Sequence, residues 1–152
     1  MSKKLGVLWG FLFVLGGILG FVPAVTKDGM FLGVFMVNTP HNILHLASGL
    51  IFLIAAALGA KAVRWWFIIF GLFYAAMSVI GFVVGDALIL NAISNSKVDS
   101  WGHGFLGLIL FLTGFMSLQH SCCLESCRSD KMREHDVHKS DAEVPPVSAQ
   151  SA

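Results

Sequence analysis

The chain has 152 residues, of which 56% are hydrophobic and only 12% are charged, and its mean hydropathy is +0.77. Soluble domains carry about 25% charged residues, so this composition excludes a water-soluble globular domain and indicates a protein whose outside faces lipid. The net charge of +1 comes from scattered Lys and Arg residues, which excludes nucleic acid as a main partner because no basic surface is left for a phosphate backbone.

Four stretches without Asp, Glu, Lys or Arg are each long enough for a membrane helix, given a rise of about 1.5 Å per residue and a hydrocarbon core of about 30 Å. The first could also be a secretory signal, but signal cores have only about 7 to 15 apolar residues. None of the stretches alternates with a period of two, so a β-barrel is not expected. The sequence predicts an all-α, integral membrane four-helix bundle with spans at residues 5–25, 41–60, 65–85 and 101–118.

The distribution of basic residues predicts how the bundle is oriented. Of the ten Lys and Arg residues, only Lys27 and Lys97 lie on the side that holds the loops after the first and third spans. Because cytoplasmic segments are enriched in Lys and Arg, both termini should be cytoplasmic and the protein should lie in the cytoplasmic membrane. The bundle should comprise residues 1–120, and the Ser-, Pro- and charge-rich residues 121–152 should form a disordered cytoplasmic tail.

An offset of 58 residues aligns the two halves of the chain without a gap. It places Asp28 on Asp86 and His45 on His103, and such matches rarely arise by chance in a chain with so few acidic residues and histidines. The sequence therefore predicts two tandem helical hairpins in the same orientation. The apolar runs 30–37 and 87–90, which follow the two aspartates, are expected to lie in the interface and cover the outer end of the bundle.

The offset also predicts a polar cluster at the extracytoplasmic end of the bundle. His41 and His45 are one helical turn apart, and the offset puts Asp99 in the place of His41 and His103 in the place of His45. The predicted members of this cluster are Asn38, His41, Asn42, His45, Asp99 and His103. Gly49 and Gly107 follow one turn after His45 and His103, and we expect them at helix crossings because small residues let helix backbones approach.

Several functions are open to this polar cluster. Its side chains could form hydrogen bonds that hold the two repeats in register, which is the preferred interpretation and requires no cofactor. His41, His45, Asp99 and His103 could instead bind zinc or copper, and His45 with His103 could bind a haem iron. A proton relay or a small-ligand site is a further alternative.

The C-terminal tail contains Cys122, Cys123 and Cys127, beside His120. On the cytoplasmic side these cysteines are expected to be free thiols and not disulfides. Binding of a soft metal or acylation of the thiols are the alternatives.

The residues give no positive evidence for an enzyme. The spans contain no Gly-rich phosphate loop, nucleophile elbow or paired catalytic carboxylates. Besides a membrane protein with a structural or ligand-holding polar cluster, the sequence allows a haem- or metal-binding redox subunit or a small scaffold. The expected partner is the lipid bilayer, with a homo-oligomer or a larger membrane protein as further candidates.

The histidine motifs resemble those of a family of small four-helix bacterial membrane proteins, the domain of unknown function 4383. The matching residues are Asn38, His41, Asn42, His45, Leu46 and Gly49 at the second span, and Trp101, His103 and Gly107 at the fourth. The resemblance covers about residues 5–118. It implies an integral membrane protein and supplies no activity, substrate or cofactor.

Overall fold

The computed structural model of the protein describes residues 3–117 and residue 133. Within residues 3–117 it has four packed helices, namely α1 (Lys3–Leu19), α2 (Thr39–Leu58), α3 (Ala60–Val84) and α4 (Lys97–Ser117). By length and composition α2, α3 and α4 can cross a membrane, whereas α1 has 17 residues. The predicted all-α four-helix architecture is therefore confirmed. Apart from residue 133, the predicted tail lies outside the described residues.

The helices begin and end at different residues from the predicted spans. The first helix ends at Leu19, and the chain then turns through residues 20–25, because Pro23 lacks the N–H that would continue a helix. The third begins at Ala60, well before residue 65, because Gly59 has a φ of 129° and reverses the chain directly after α2. Charged residues set the limits of the predicted spans, but Lys61 and Arg64 lie within α3.

A small antiparallel sheet lies between α1 and α2. Its strands, in the order β1-β2-β3, are Thr26–Lys27, Met30–Phe31 and Phe35–Met36. The tight turn between β1 and β2 is Asp28-Gly29, with φ angles of 51° and 76°. Positive φ at both central residues is typical of a two-residue hairpin, and Asp-Gly is one of its preferred sequences. These strands were not predicted from the sequence, although this dipeptide indicates them.

The loop between α3 and α4 repeats part of this backbone. An isolated bridge pairs Ile89 with Ile93, and the two residues after Ile89 have φ angles of 52° and 56°. In the first loop Phe31 pairs with Phe35, and the two residues after Phe31 have φ angles of 54° and 70°. The offset of 58 residues relates these pairs and turns. The tandem duplication stays a prediction, which this correspondence supports.

Glycines bring the helix backbones together in two pairs, α1 with α2 and α3 with α4. A Cβ atom added to Gly49 would lie 2.7 Å from the carbonyl oxygen of Gly10 on α1, and one added to Gly107 would lie 2.8 Å from that of Gly71 on α3. Between the pairs is a buried aromatic core, whose largest members are Phe13, Phe52, Phe67, Phe70 and Tyr74. The polar cluster lies at the end of this core, since the Phe13 and Tyr74 rings contact that of His45. This end carries the α1–α2 and α3–α4 loops, which we call the outer loops.

Two adjacent glycines of α1 provide a matched test of this packing. A Cβ on Gly17 would lie 2.9 Å from two backbone atoms of α2, whereas a Cβ on Gly16 would meet nothing within 4 Å. We expect Gly17→Ala to lower the free energy of unfolding by about 2 kcal/mol because the helices must separate. Gly16→Ala should leave stability unchanged or slightly higher, since alanine favours helix more than glycine does. Thermal unfolding in detergent measures both, and equal effects would contradict the described α1–α2 contact.

Candidate functional site: a buried histidine triad

Two helices supply the three histidines of the site. His41 and His45 lie in the first two turns of α2, and His103 lies in the second turn of α4. The start of α2 is fixed by Asn38, whose Oδ1 accepts a hydrogen bond from the backbone N–H of His41 at 3.0 Å, and by Pro40 in the first turn. This cap sets where the two α2 histidines enter the bundle.

The three imidazoles form a compact triangle, which we call the histidine triad. Each offers one nitrogen such that all three nitrogens lie within 4.8 Å of one another. The Nε2 atoms of His41 and His45 are 3.2 Å apart. The ring centroids are 5.1 Å apart for His41 and His45, 5.6 Å for His41 and His103, and 6.2 Å for His45 and His103.

Hydrogen bonds define the protonation of one ring. The carbonyl oxygen of Ser94 accepts a hydrogen bond from Nδ1 of His41 at 3.2 Å, so the proton of this imidazole is on Nδ1 and its Nε2 carries a lone pair. His45 donates its Nε2 proton to that lone pair. Both nitrogens of His41 are thus used, but its bond to His45 joins residues of one helix and does not connect the two hairpins.

His103 differs from His41 in its hydrogen bonding. It is 9% exposed, and its Nδ1 is buried with no hydrogen-bond partner among the described residues. The described residues also contain no hydrogen bond between His103 and His45. A buried imidazole nitrogen without a partner is costly, and such groups call for a specific explanation.

A very small cavity of about 10 Å³ adjoins the triad on its α3 side. All three histidines line it, together with Tyr74 and Met77. The Tyr74 hydroxyl is 3.1 Å from Oγ of Ser48, which links α3 to α2 beside the cavity. A volume of this size holds one water molecule or one ion.

Asp99 lies close to the triad but is not one of the groups within 4.8 Å. Its side chain is 2% exposed, and Oδ2 accepts hydrogen bonds from the backbone N–H of Met36 at 3.1 Å and from both N and Oγ of Ser96 at 2.8 and 2.6 Å. Every hydrogen bond to this carboxylate that the described residues make ends on Oδ2. Asp99 therefore caps α4, joins it to strand β3 and leaves Oδ1 available.

The two predicted asparagines are separated. Asn42 is buried and, with the triad, lines a second cavity, whose volume is about 250 Å³. Asn38 instead turns to the second outer loop, where its Nδ2 donates to the carbonyl oxygen of Ala92 at 2.7 Å. Two further bonds also connect the hairpins, from Ser94 Oγ to the Met36 carbonyl and from the Met36 N–H to Asp99. Together with the Asn38 bond they join the two outer loops.

Two buried polar residues of the site were not predicted from the sequence. Ser94 holds His41 through its carbonyl, a backbone contact that no side-chain pattern encodes. Asn95 is fully buried, and its Nδ2 donates to the carbonyl oxygens of Gly81 and Gly85 at 3.2 and 2.9 Å, which satisfies the end of α3. A run of Ser and Asn just before an apolar helix signals capping, but the run alone does not show that it caps the preceding helix as well.

Comparison with known proteins identifies the family and no activity. No curated protein matches the chain. No solved structure matches it either. A family model described as domain of unknown function (DUF4383) matches residues 3–116, which include the triad and all but the last residue of the four helices. Since this match covers most of the 152 residues, the chain belongs to the DUF4383 family.

Proposed function

We propose that the protein is a four-span protein of the cytoplasmic membrane that binds one transition-metal ion through His41, His45 and His103. The observation that carries the proposal is the histidine triad, whose ligand nitrogens lie within 4.8 Å of one another. Neutral imidazoles are common ligands of zinc and copper. The chemistry of the donor set is therefore that of a metal site with three protein ligands.

The distances support a single ion. Two nitrogens bound tetrahedrally at about 2.0 to 2.1 Å are about 3.3 Å from each other, and their ring centroids are about 5 to 5.5 Å apart. The Nε2 atoms of His41 and His45 are 3.2 Å apart, and the shortest two sides of the centroid triangle are 5.1 and 5.6 Å. The His45 and His103 centroids are farther apart, at 6.2 Å, and Nδ1 of His103 is buried without a partner among the described residues, so it is available as a ligand.

The groups that surround the triad also suit a bound metal. Metal-binding histidines usually donate their other N–H to a carbonyl or carboxylate, which fixes the tautomer. The Ser94 carbonyl does this for His41. The 10 Å³ cavity, also lined by Met77, provides space for the ion itself.

The two alternative functions of the cluster are less well supported. Hydrogen bonds of Asn38, His41 and Asp99 do join the two hairpins. They leave His45 and His103 unexplained, since the bond of His45 runs to His41 on the same helix. A haem between His45 and His103 would need a flat space around its iron. The His41 ring, with its centroid 5.1 and 5.6 Å from the other two, occupies that space.

The test is metal binding by the purified full chain. We expect about one equivalent of zinc or copper after dialysis, and His41→Ala, His45→Ala and His103→Ala should each weaken binding at least about 100-fold, since each removes a ligand of the ion. As a matched control, Cys122→Ser, Cys123→Ser and Cys127→Ser combined should keep the metal. Loss of metal in that control with retention in the histidine variants would place the metal on the tail and overturn the proposal.

The proposal places the triad on the extracytoplasmic side, as the excess of basic residues at the other end of the bundle indicates. Leu90 in the outer loop is 83% exposed, and Lys61 at the α2–α3 turn is also exposed. In a chain whose native cysteines are replaced by serine, a membrane-impermeant maleimide should label Leu90→Cys in intact cells and leave Lys61→Cys unlabelled. Labelling of Lys61→Cys but not of Leu90→Cys would show that the orientation is the opposite one.

A further inference from the structure

A second and much larger cavity adjoins the histidine triad. Its volume is about 250 Å³, and besides polar groups of α2 and α4 its walls include Phe31, Phe35, Val37 and Leu106. Phe31 and Phe35 are paired residues of strands β2 and β3, so the small sheet forms one wall. The cavity is therefore mainly apolar, with a polar region around His41, His103 and Asp99.

The size of this cavity indicates what it can hold. An apolar cavity of about 150 Å³ in another protein binds benzene. A volume of about 250 Å³ accommodates one aromatic ring with a few additional atoms. Two phenylalanine rings in the wall favour an aromatic occupant, because aromatic rings in contact gain energy beyond the burial of their area.

The polar region selects a neutral group that can donate a hydrogen bond. Asp99 is almost fully buried and uses only Oδ2 in its hydrogen bonds among the described residues, so Oδ1 can accept one more. A second carboxylate would be repelled by Asp99, and an aliphatic ammonium group would bring a strongly hydrated charge to apolar walls. A phenolic hydroxyl can donate to Asp99 while its ring lies among apolar side chains.

We infer that this cavity binds a phenolic ring, with its hydroxyl hydrogen-bonded to Asp99 and its ring against Phe31 and Phe35. The ring enters past Gly16 of α1, which lines the cavity and has open space where a Cβ would stand. The ion-sized cavity lies on the α3 side of the triad and this cavity on the side of the small sheet, and the three histidines line both. The inference does not require the metal.

The test uses 4-methylphenol as the probe, with calorimetry on the purified full chain both with zinc and after treatment with a chelator. We expect 4-methylphenol to bind at least about tenfold more tightly than toluene, which matches it in shape but lacks the hydroxyl. Binding to the chelator-treated protein supports the phenol site even if no metal binds. Equal affinity for toluene would overturn the role of Asp99.

Two variants locate the ring. Gly16→Leu should fill the entrance and weaken binding of 4-methylphenol at least about tenfold. The variant should still fold, because a Cβ at this position meets no atom within 4 Å. Leu15→Phe adds bulk at a neighbouring residue that is 53% exposed, and it should bind the probe like the parent. Unchanged binding in Gly16→Leu, or an equal loss in Leu15→Phe, would overturn the proposed location.

The length of the alkyl chain on the phenol shows whether the ligand is a free phenol or the head of a lipid. If 4-nonylphenol binds as tightly as 4-methylphenol, the cavity takes the head of a membrane-soluble lipid whose tail remains outside. If only 4-methylphenol binds, the ligand is a free phenol. Both results support a phenolic ring, and failure of both compounds to bind the folded protein would exclude it.

Discussion

Replacing Gly49 or Gly107 by leucine should abolish the native packing of the helix pair that contains it. A Cβ alone on Gly49 would lie 2.7 Å from the backbone nitrogen of Val14, and one on Gly107 would lie 2.7 Å from that of Ala75. These neighbours are backbone atoms, which cannot move aside as a side chain can. We expect a loss of about 4 kcal/mol or more, measured by unfolding in detergent, with most of the protein failing to fold.

The adjacent residues supply matched controls. Leu50 and Leu108 follow the two glycines directly and are 55% and 54% exposed in the bundle, as expected of side chains that face lipid. Leu50→Phe and Leu108→Phe should change stability by no more than about 0.5 kcal/mol. Parent-like unfolding of Gly49→Leu would mean that α1 and α2 do not cross at this residue.

Replacing Asp99 by alanine should have the second largest effect. It removes three hydrogen bonds to Oδ2 and leaves the backbone N–H of Met36 without its partner in a partly buried site. Hydrogen bonds to a charged group contribute about 1.5 to 3 kcal/mol each and are not additive, so we expect a loss of roughly 3 kcal/mol in the free energy of unfolding.

Two further variants separate the causes of this loss. Asp99→Asn keeps an acceptor oxygen for the same donors, so its loss of stability should be less than half of the loss in Asp99→Ala. Asp86→Ala removes the single exposed bond from the backbone N–H of Lys97 and should cost less than about 1 kcal/mol. If Asp99→Ala and Asp86→Ala unfold alike, Asp99 does not join the outer loops.

The hydrophobic stretches were sufficient to predict the class of fold, because a lipid-facing helix needs a long run without charges. They could not give the helix limits. Lys61 and Arg64 lie within α3, where a basic side chain near a membrane surface can reach water without ending the helix. The strands between α1 and α2 were missed because two-residue strands carry almost no periodicity, although Asp28-Gly29 marks their turn.

For the site, helical spacing and the offset of 58 selected the three histidines that the structure brings together. The three histidines are close because they lie at similar depth on two packed helices. Helical periodicity can predict such a placement. The separation of Asn38 from the triad and the roles of Ser94 and Asn95 could not be inferred, because these contacts run to backbone carbonyls of distant segments. Asp99 was predicted as a member of the polar cluster and, in the alternative, as a metal ligand, and its Oδ2 accepts hydrogen bonds from Met36 and Ser96.

The joined outer loops have a consequence for the order in which the protein is made. The first hairpin leaves the ribosome before its hydrogen-bond partners in the second hairpin have been made. These bonds run from Asn38 to Ala92, from His41 to Ser94 and from Met36 to Asp99. Until α4 is synthesised and inserted, those groups of the first hairpin can be satisfied only by water or lipid head groups. The contacts between the outer loops can thus form only late in synthesis, after residues 92–99 have been made.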